Sequence, residues 1–308
     1  MGTLFKSLLV CGDKLSNLSR LLASGKFVVT SQIDPPLGTD LSEITYRAHL
    51  LQGWVDALTI KDTDQGRIGS ASPVSLMSVV FPRGIDVILQ MNCRDRNRVG
   101  LQSDLLGASI LGAKNILCVT GDPFTDSGYE NIKQVYDVGS DELIKIASDL
   151  NLGKDINGNM VKGTPAFYIG GVINPFASEL ADEIIRVKYK VEAGAEFFHT
   201  QPFFEVNRLE EFLAALGSID TKVIIGVLIL ESVEMARSIS RMPGIEIPEE
   251  IFMELDKAKD KTAKGIEIAA RIVKAAKEIY AGVHIIDTGS NDLIPLVLEY
   301  AGIFRREI

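Results

Sequence analysis

Six short apolar runs in this chain end in polar side chains of the kinds that bind and transform small molecules. The ends are Ser31-Gln32 before Asp34-Pro35-Pro36, Thr59 before Lys61-Asp62, Gln90 with Asn92, Thr120-Gly121-Asp122, Asn174-Pro175, and Thr200-Gln201 before Pro202-Phe203-Phe204. A ligand pocket needs a few convergent polar groups in an apolar wall, and amides contribute both donors and acceptors. Three of these segments also have a plainer reading. Pro35-Pro36 stops a strand with Asp34 capping the next segment, Asp122 caps a loop before Pro123, and Phe203 and Phe204 pack in a core. The three cysteines and three histidines lack the spacing of a structural metal site, so no metal is expected. Cys93 and Cys118, in apolar runs, read as small buried hydrophobes.

The elements that must position these groups alternate along the chain. Strands are expected at Phe27–Ile33, Val55–Ile60, Asp86–Met91, Asn115–Val119, Ala166–Ile173, Glu196–Thr200, Lys222–Leu228 and Gly282–Ile286, each rich in Val, Ile or Phe and bounded by turn residues. Amphipathic helices fill the intervals, at 40–51, 72–80 (with Pro73 in its first turn), 97–111, 140–150, 179–193, 207–216, 232–241 and 259–279, and one more lies at 291–300. Gly53, Gly112 and Gly194 each fall just past a helix and just before a strand, where the left-handed conformation ends a helix. Eight such units in 308 residues fit an α/β fold of the closed (β/α)8 TIM-barrel type, one domain over 1–308 with residues 1–25 as an N-terminal helical extension. No GxGxxG follows the first strand, which disfavours a doubly wound sheet. In a barrel, chemistry gathers at the strand C-termini, where these polar ends would meet.

Composition bounds the partners. A net charge of −9 and a pI near 5.0 argue against nucleic acid or an anionic membrane surface, without excluding an anionic ligand bound by local lysines or backbone N–H groups. No run approaches 18 apolar residues and the N-terminus lacks a cleavage site, so a cytoplasmic protein is expected.

Taken together, Phe27–Pro36, Cys93-Arg94-Asp95-Arg96-Asn97, Val119–Pro123, and Gly194-Ala195 followed by Thr200–Phe204 resemble, in order, the successive signatures of methylenetetrahydrofolate reductases, above all the short bacterial form. The resemblance implies a barrel that holds FAD, draws electrons from NADH or NADPH or from a partner flavoprotein, and reduces 5,10-methylenetetrahydrofolate to 5-methyltetrahydrofolate. It places Asp122 beside the flavin and pterin as the carboxylate that stabilises a developing cation. Gln201 becomes the amide on the pterin, and Thr59, Phe203 and Asn92 its other neighbours. Gln90, Thr120, Gly121, Gly171, Asn174, Lys188 and Lys190 fall along the cofactor path, although a solvated helix face explains the two lysines equally well. The pattern is broken where it matters most. Gln32 stands in the place of the glutamic acid that protonates N10 to open the folate ring, and an amide cannot deliver that proton. Gln90 and Asn92 also replace the family's His and Thr.

These departures leave three readings. The first is a reductase, either active or impaired at Gln32. The second is a tetrahydrofolate methyltransferase that works with a corrinoid protein and needs neither flavin nor acid, with Asn92 on N5. The third is a non-catalytic folate-binding subunit needing only Asp122 and Gln201. A homo-oligomer is compatible with the resemblance, but no apolar stripe in the sequence marks an interface.

Overall fold

The computed structural model describes residues 15–62, 85–124, 132–217, 221–242, 244–287 and 292–307. The expected helix at 72–80, Cys11 and the first 14 residues of the N-terminal extension lie outside them. Eight parallel strands close in sequence order into a barrel: β1 (Val28–Ile33), β2 (Ala57–Ile60), β3 (Asp86–Asn92), β4 (Asn115–Val119), β5 (Tyr168–Ile173), β6 (Phe197–Pro202), β7 (Lys222–Leu228) and β8 (Gly282–Ile286). The described helices are α1 (Asn17–Ala23), α2 (Ser42–Leu50), α3 (Arg98–Ile110), α4 (Ser140–Asn151), α5 (Leu180–Ala193), α6 (Val206–Leu216), α7 (Val233–Ile239), α8 (Glu249–Lys257), α9 (Lys261–Lys277) and α10 (Leu293–Tyr300). The fold is therefore a (β/α)8 barrel, as the alternation of apolar runs implies.

Period-2 alternation splits each strand between two cores. Outward residues such as Val29, Leu58, Leu89, Ile116, Phe198 and Ile225 join the helices in the larger core. Inward residues Val28, Ala57, Ile88, Leu117, Phe197 and Ile224 fill the N-terminal end of the barrel together with Leu18 and Leu22 of α1. Ser16 caps α1 by accepting from the Ser19 N–H, and the Leu18 N–H donates to Asp86 Oδ2 at 2.7 Å, which fixes the plug beneath β3. The Phe197 ring lies over Gly170, where a Cβ would sit 2.3 Å from its Cζ, and stacks on Tyr168 at 5.0 Å. With that end filled, open space inside the barrel remains at the C-terminal mouth.

Two of the differences from expectation have local reasons. Val55 bridges back to Gln52, so β2 starts at Ala57, after Asp56 has used its carboxylate on the Val29 N–H (2.8 Å). The sequence between the expected helices at 232–241 and 259–279 also holds α8, opened by Pro248 and two first-turn glutamates. Behind β7, α9 approaches so closely that a Cβ on Gly265 would lie 1.9 Å from the Leu230 carbonyl oxygen. Gly265→Ala is expected to destabilise the protein by about 1–3 kcal/mol, although alanine favours a helix by up to about 1 kcal/mol. The midpoint of urea unfolding reads this out, and an unchanged midpoint would contradict the close contact.

Candidate functional site

At the C-terminal mouth a cavity of about 450 Å³ opens between the ends of β2 to β6 and β8. Its wall combines Gln90, Asn92, Thr120, Gly121, Asp122, Asn174, Lys190 and Gln201 with apolar Leu117, Val119, Val172 and Ile286. Eight of the residues singled out from the sequence are thus brought to one cavity.

A β-bulge aims Gln201. The β6–β7 register shifts between His199 and Pro202, and the Thr200 hydroxyl, which donates to the Gln201 carbonyl (2.8 Å), accepts from the Gly226 N–H (2.9 Å). A Cβ at 226 would lie 2.7 Å from the Thr200 carbonyl oxygen, so only glycine admits the bulged backbone. Bulges commonly re-aim a side chain beside a functional site, and this one carries the Gln201 amide to the cavity.

The β3–α3 loop forms the opposite wall. Asn92 is buried, and its Oδ1 accepts from the N–H groups of Arg94 (3.0 Å) and Asp95 (3.3 Å). Its amide therefore holds the turn and is committed to the loop, which weighs against the expected contact with N5 of a folate. Asp62 accepts from the Asn92 N–H (2.8 Å) and pairs with Arg96, which also reaches Asp104. Arg94 pairs with Asp95, covers the Phe124 ring at 3.7 Å and donates to the Asp122 carbonyl (2.9 Å). The Asp122 loop is thus held through its main chain, with the residue itself exposed at the rim. On the far side, Lys190 Nζ donates to the Val172 carbonyl (2.7 Å), and burial lowers its pKa while the Glu183 and Asp141 carboxylates oppose that shift. Glu183, also in the wall, accepts from the Asn174 N–H (2.9 Å).

The remaining expected residues sit elsewhere. Gln32 faces inward on β1, half-buried and in register with Thr59, but neither lines the cavity. The Thr59 hydroxyl is buried with no partner among the described residues. A Cβ on Gly171 would meet Phe198 at 3.0 Å, so Gly171 faces the helix layer, away from the barrel interior. Phe203 is fully buried in that same layer against Phe176, 5.2 Å between ring centroids. Lys188 is exposed and absent from the cavity wall. Cys93 and Cys118 are both buried, and burial raises both thiol pKa values, that of Cys93 to about 12, so neither is a ready nucleophile.

Sequence reasoning missed the floor. His199 and His284 line the cavity one inward position deeper than Gln201 and Ile286, with ring centroids 4.6 Å apart. The available signal was parity, since His199 follows Phe197 by two on β6 and His284 precedes Ile286 by two on β8. No group of three or more His, Cys, Asp or Glu suited to a metal occurs among the described residues. No described helix is long and apolar enough to cross a membrane.

Fold and site together define a (β/α)8-barrel protein with a small-molecule cavity at its strand C-termini. The family model for methylenetetrahydrofolate reductase matches residues 17–302, and the chain belongs to that family. It is similar to a probable methylenetetrahydrofolate reductase (NADPH) of Caenorhabditis elegans, 23% identical over 235 residues, covering 73% of this chain and 33% of that protein. It is also similar to methylenetetrahydrofolate reductase 1 of Schizosaccharomyces pombe, 20% identical over 288 residues, covering 89% of this chain and 45% of that protein. The chain spans less than half the length of these curated relatives. Among solved structures, a Clostridium thermocellum protein described as binding two copies of 5-methyl-5,6,7,8-tetrahydrofolic acid superimposes with a TM-score of 0.62 at 16% identity. That alignment covers 92% of this chain and 99% of that one, a likeness of fold.

Proposed function

We propose that the chain binds a reduced folate in the barrel mouth and converts 5,10-methylenetetrahydrofolate to 5-methyltetrahydrofolate with FAD and NADH or NADPH. The observation that carries this reading is the bulge that presents the Gln201 amide in the cavity whose rim holds Asp122. An amide matches a pterin edge, which offers donors and acceptors side by side. A carboxylate at the rim stabilises the cation that develops as the one-carbon bridge opens. Family membership and the folate-binding structural relative add support.

The residues present also fit a flavin. Gln90, the Thr120-Gly121 backbone and Asn174 supply neutral donors and acceptors, and Lys190 places a cation in the same wall for a diphosphate. If a flavin were held by these residues, hydride chemistry at the one-carbon unit would come from it. Among the described residues, the position that the resemblance assigns to the proton donor for N10 holds Gln32. Gln32 has none to give, and Asp62 is engaged by Arg96.

Gln32 thereby favours a second reading, methyl exchange between tetrahydrofolate and a corrinoid protein, which needs no hydride and no ring opening. The visible spectrum of the purified protein separates the two. The reductase reading expects absorption near about 450 nm, bleached by NADH or NADPH and restored by methylenetetrahydrofolate. A colourless protein that demethylates methylcobalamin in the presence of tetrahydrofolate would sink it.

A further inference from the structure

The cavity floor is built from side chains that take no part in the proposed hydride and proton chemistry. His199 from β6 and His284 from β8 are 3% and 5% exposed, and their rings lean together at 33°. His284 Nδ1 lies 2.9 Å from Thr30 Oγ1, and that hydroxyl also lies 3.2 Å from the Val283 carbonyl oxygen. His199 Nε2 is buried with no hydrogen-bond partner among the described residues. A buried imidazole nitrogen without a partner is costly unless something else satisfies it.

We propose that His199 and His284, with Thr30 setting the tautomer of the second, form a specificity pair that reads the polar edge of the bound ligand's ring. The proposal rests on the folate reading and names the residues that recognise the pterin at its deepest point. The Thr30 hydroxyl has one proton and two candidate acceptors. If it donates to the Val283 carbonyl, Nδ1–H of His284 must donate to Thr30, and Nε2 is left as an acceptor. If it donates to Nδ1, Nε2 carries the hydrogen and becomes a donor. With His199 beside it, the floor can meet a neighbouring N–H and C=O in either order, and this is the pattern of the amide-like edge of a pterin. Burial holds both rings neutral, pushing His199 well below the ordinary range and, with Lys61 nearby, His284 down to about 3. A neutral floor does not compensate an anion, so a carboxylate or phosphate is excluded there and belongs near the lysines of the wall.

The chain has three histidines, and His49 is exposed and bonded within its own helix, which makes it an internal control. Long-range ¹⁵N NMR of the histidine-labelled full chain reads the tautomer of each ring, and calorimetry on the same sample reads binding. Three probes are compared: 5-methyltetrahydrofolate, 6-methyltetrahydropterin for the ring alone and p-aminobenzoylglutamate for the tail alone. The expected result is that the first two shift the nitrogens of His199 and His284, while the tail leaves them unmoved and no probe moves His49. His199→Phe, which keeps a flat ring without nitrogens, should weaken 5-methyltetrahydrofolate about tenfold, the loss of one neutral hydrogen bond. Saturable folate binding with both buried imidazoles unmoved would overturn the floor's role and leave the folate reading standing. Shifts produced by the tail alone would overturn it too, and no calorimetric binding of 5-methyltetrahydrofolate would overturn both.

Discussion

Gln32→Glu is expected to raise methylenetetrahydrofolate reduction by about 10²-fold or more, the usual scale of general acid catalysis. The side chain is half-buried on the inner face of β1, beside Thr59 of β2, and a glutamic acid is nearly isosteric with it. The substitution therefore restores a proton donor with little change of shape. One inward position further along, Lys61 of the cavity wall pairs with Asp34 at 3.6 Å, so a new carboxyl would sit beneath an existing ion pair. The gain should appear in kcat with KM nearly constant, because the acid acts in the transition state and the amide already fills its space. Steady-state assays with either nicotinamide check it. An unchanged kcat in a protein that carries flavin would show that position 32 is not where the proton enters.

Asp122→Asn is the second large effect, an expected fall in kcat/KM of about 10²–10³-fold, the size seen when one electrostatic stabiliser of a transition state is removed. The residue is exposed, and its loop is tied down by Arg94 through the Asp122 carbonyl oxygen. An asparagine keeps that main-chain contact, so the change removes a charge and leaves the loop in place. Stability should stay within about 0.5 kcal/mol. If activity and the unfolding midpoint fall together, the loss is structural and the electrostatic role fails.

The barrel was legible because each strand is a short apolar run with a turn signal at either end, and the parallel order then sets the register. The wall was legible wherever a polar residue closes such a run, as at Gln90, Thr120 and Asn174. Faces were harder to read, although the periodicities held the answer. On β5, Tyr168, Gly170 and Val172 share the inner face, so Gly171 must turn outward. On α5, Glu183, Val187 and Lys190 share the inner face at helical spacing, which leaves Lys188 outside. The β6 bulge was not legible, since it depends on a hydrogen bond to Gly226, 26 residues away. Parity put each histidine on an inner face, but the meeting of the two rings was hidden, because it happens only when β6 and β8 close around β7.

Gln201, carried on that bulge, is the proposed hold on a reduced folate in the barrel mouth. Isothermal titration of the purified chain with 5-methyltetrahydrofolate, beside its Gln201→Leu variant, tests it most directly. The predicted result is saturable binding by the parent and a loss of about tenfold or more in the variant, because removing the amide forfeits at least one hydrogen bond to the ring. Equal affinity in the two proteins, or no binding by the parent, would contradict it.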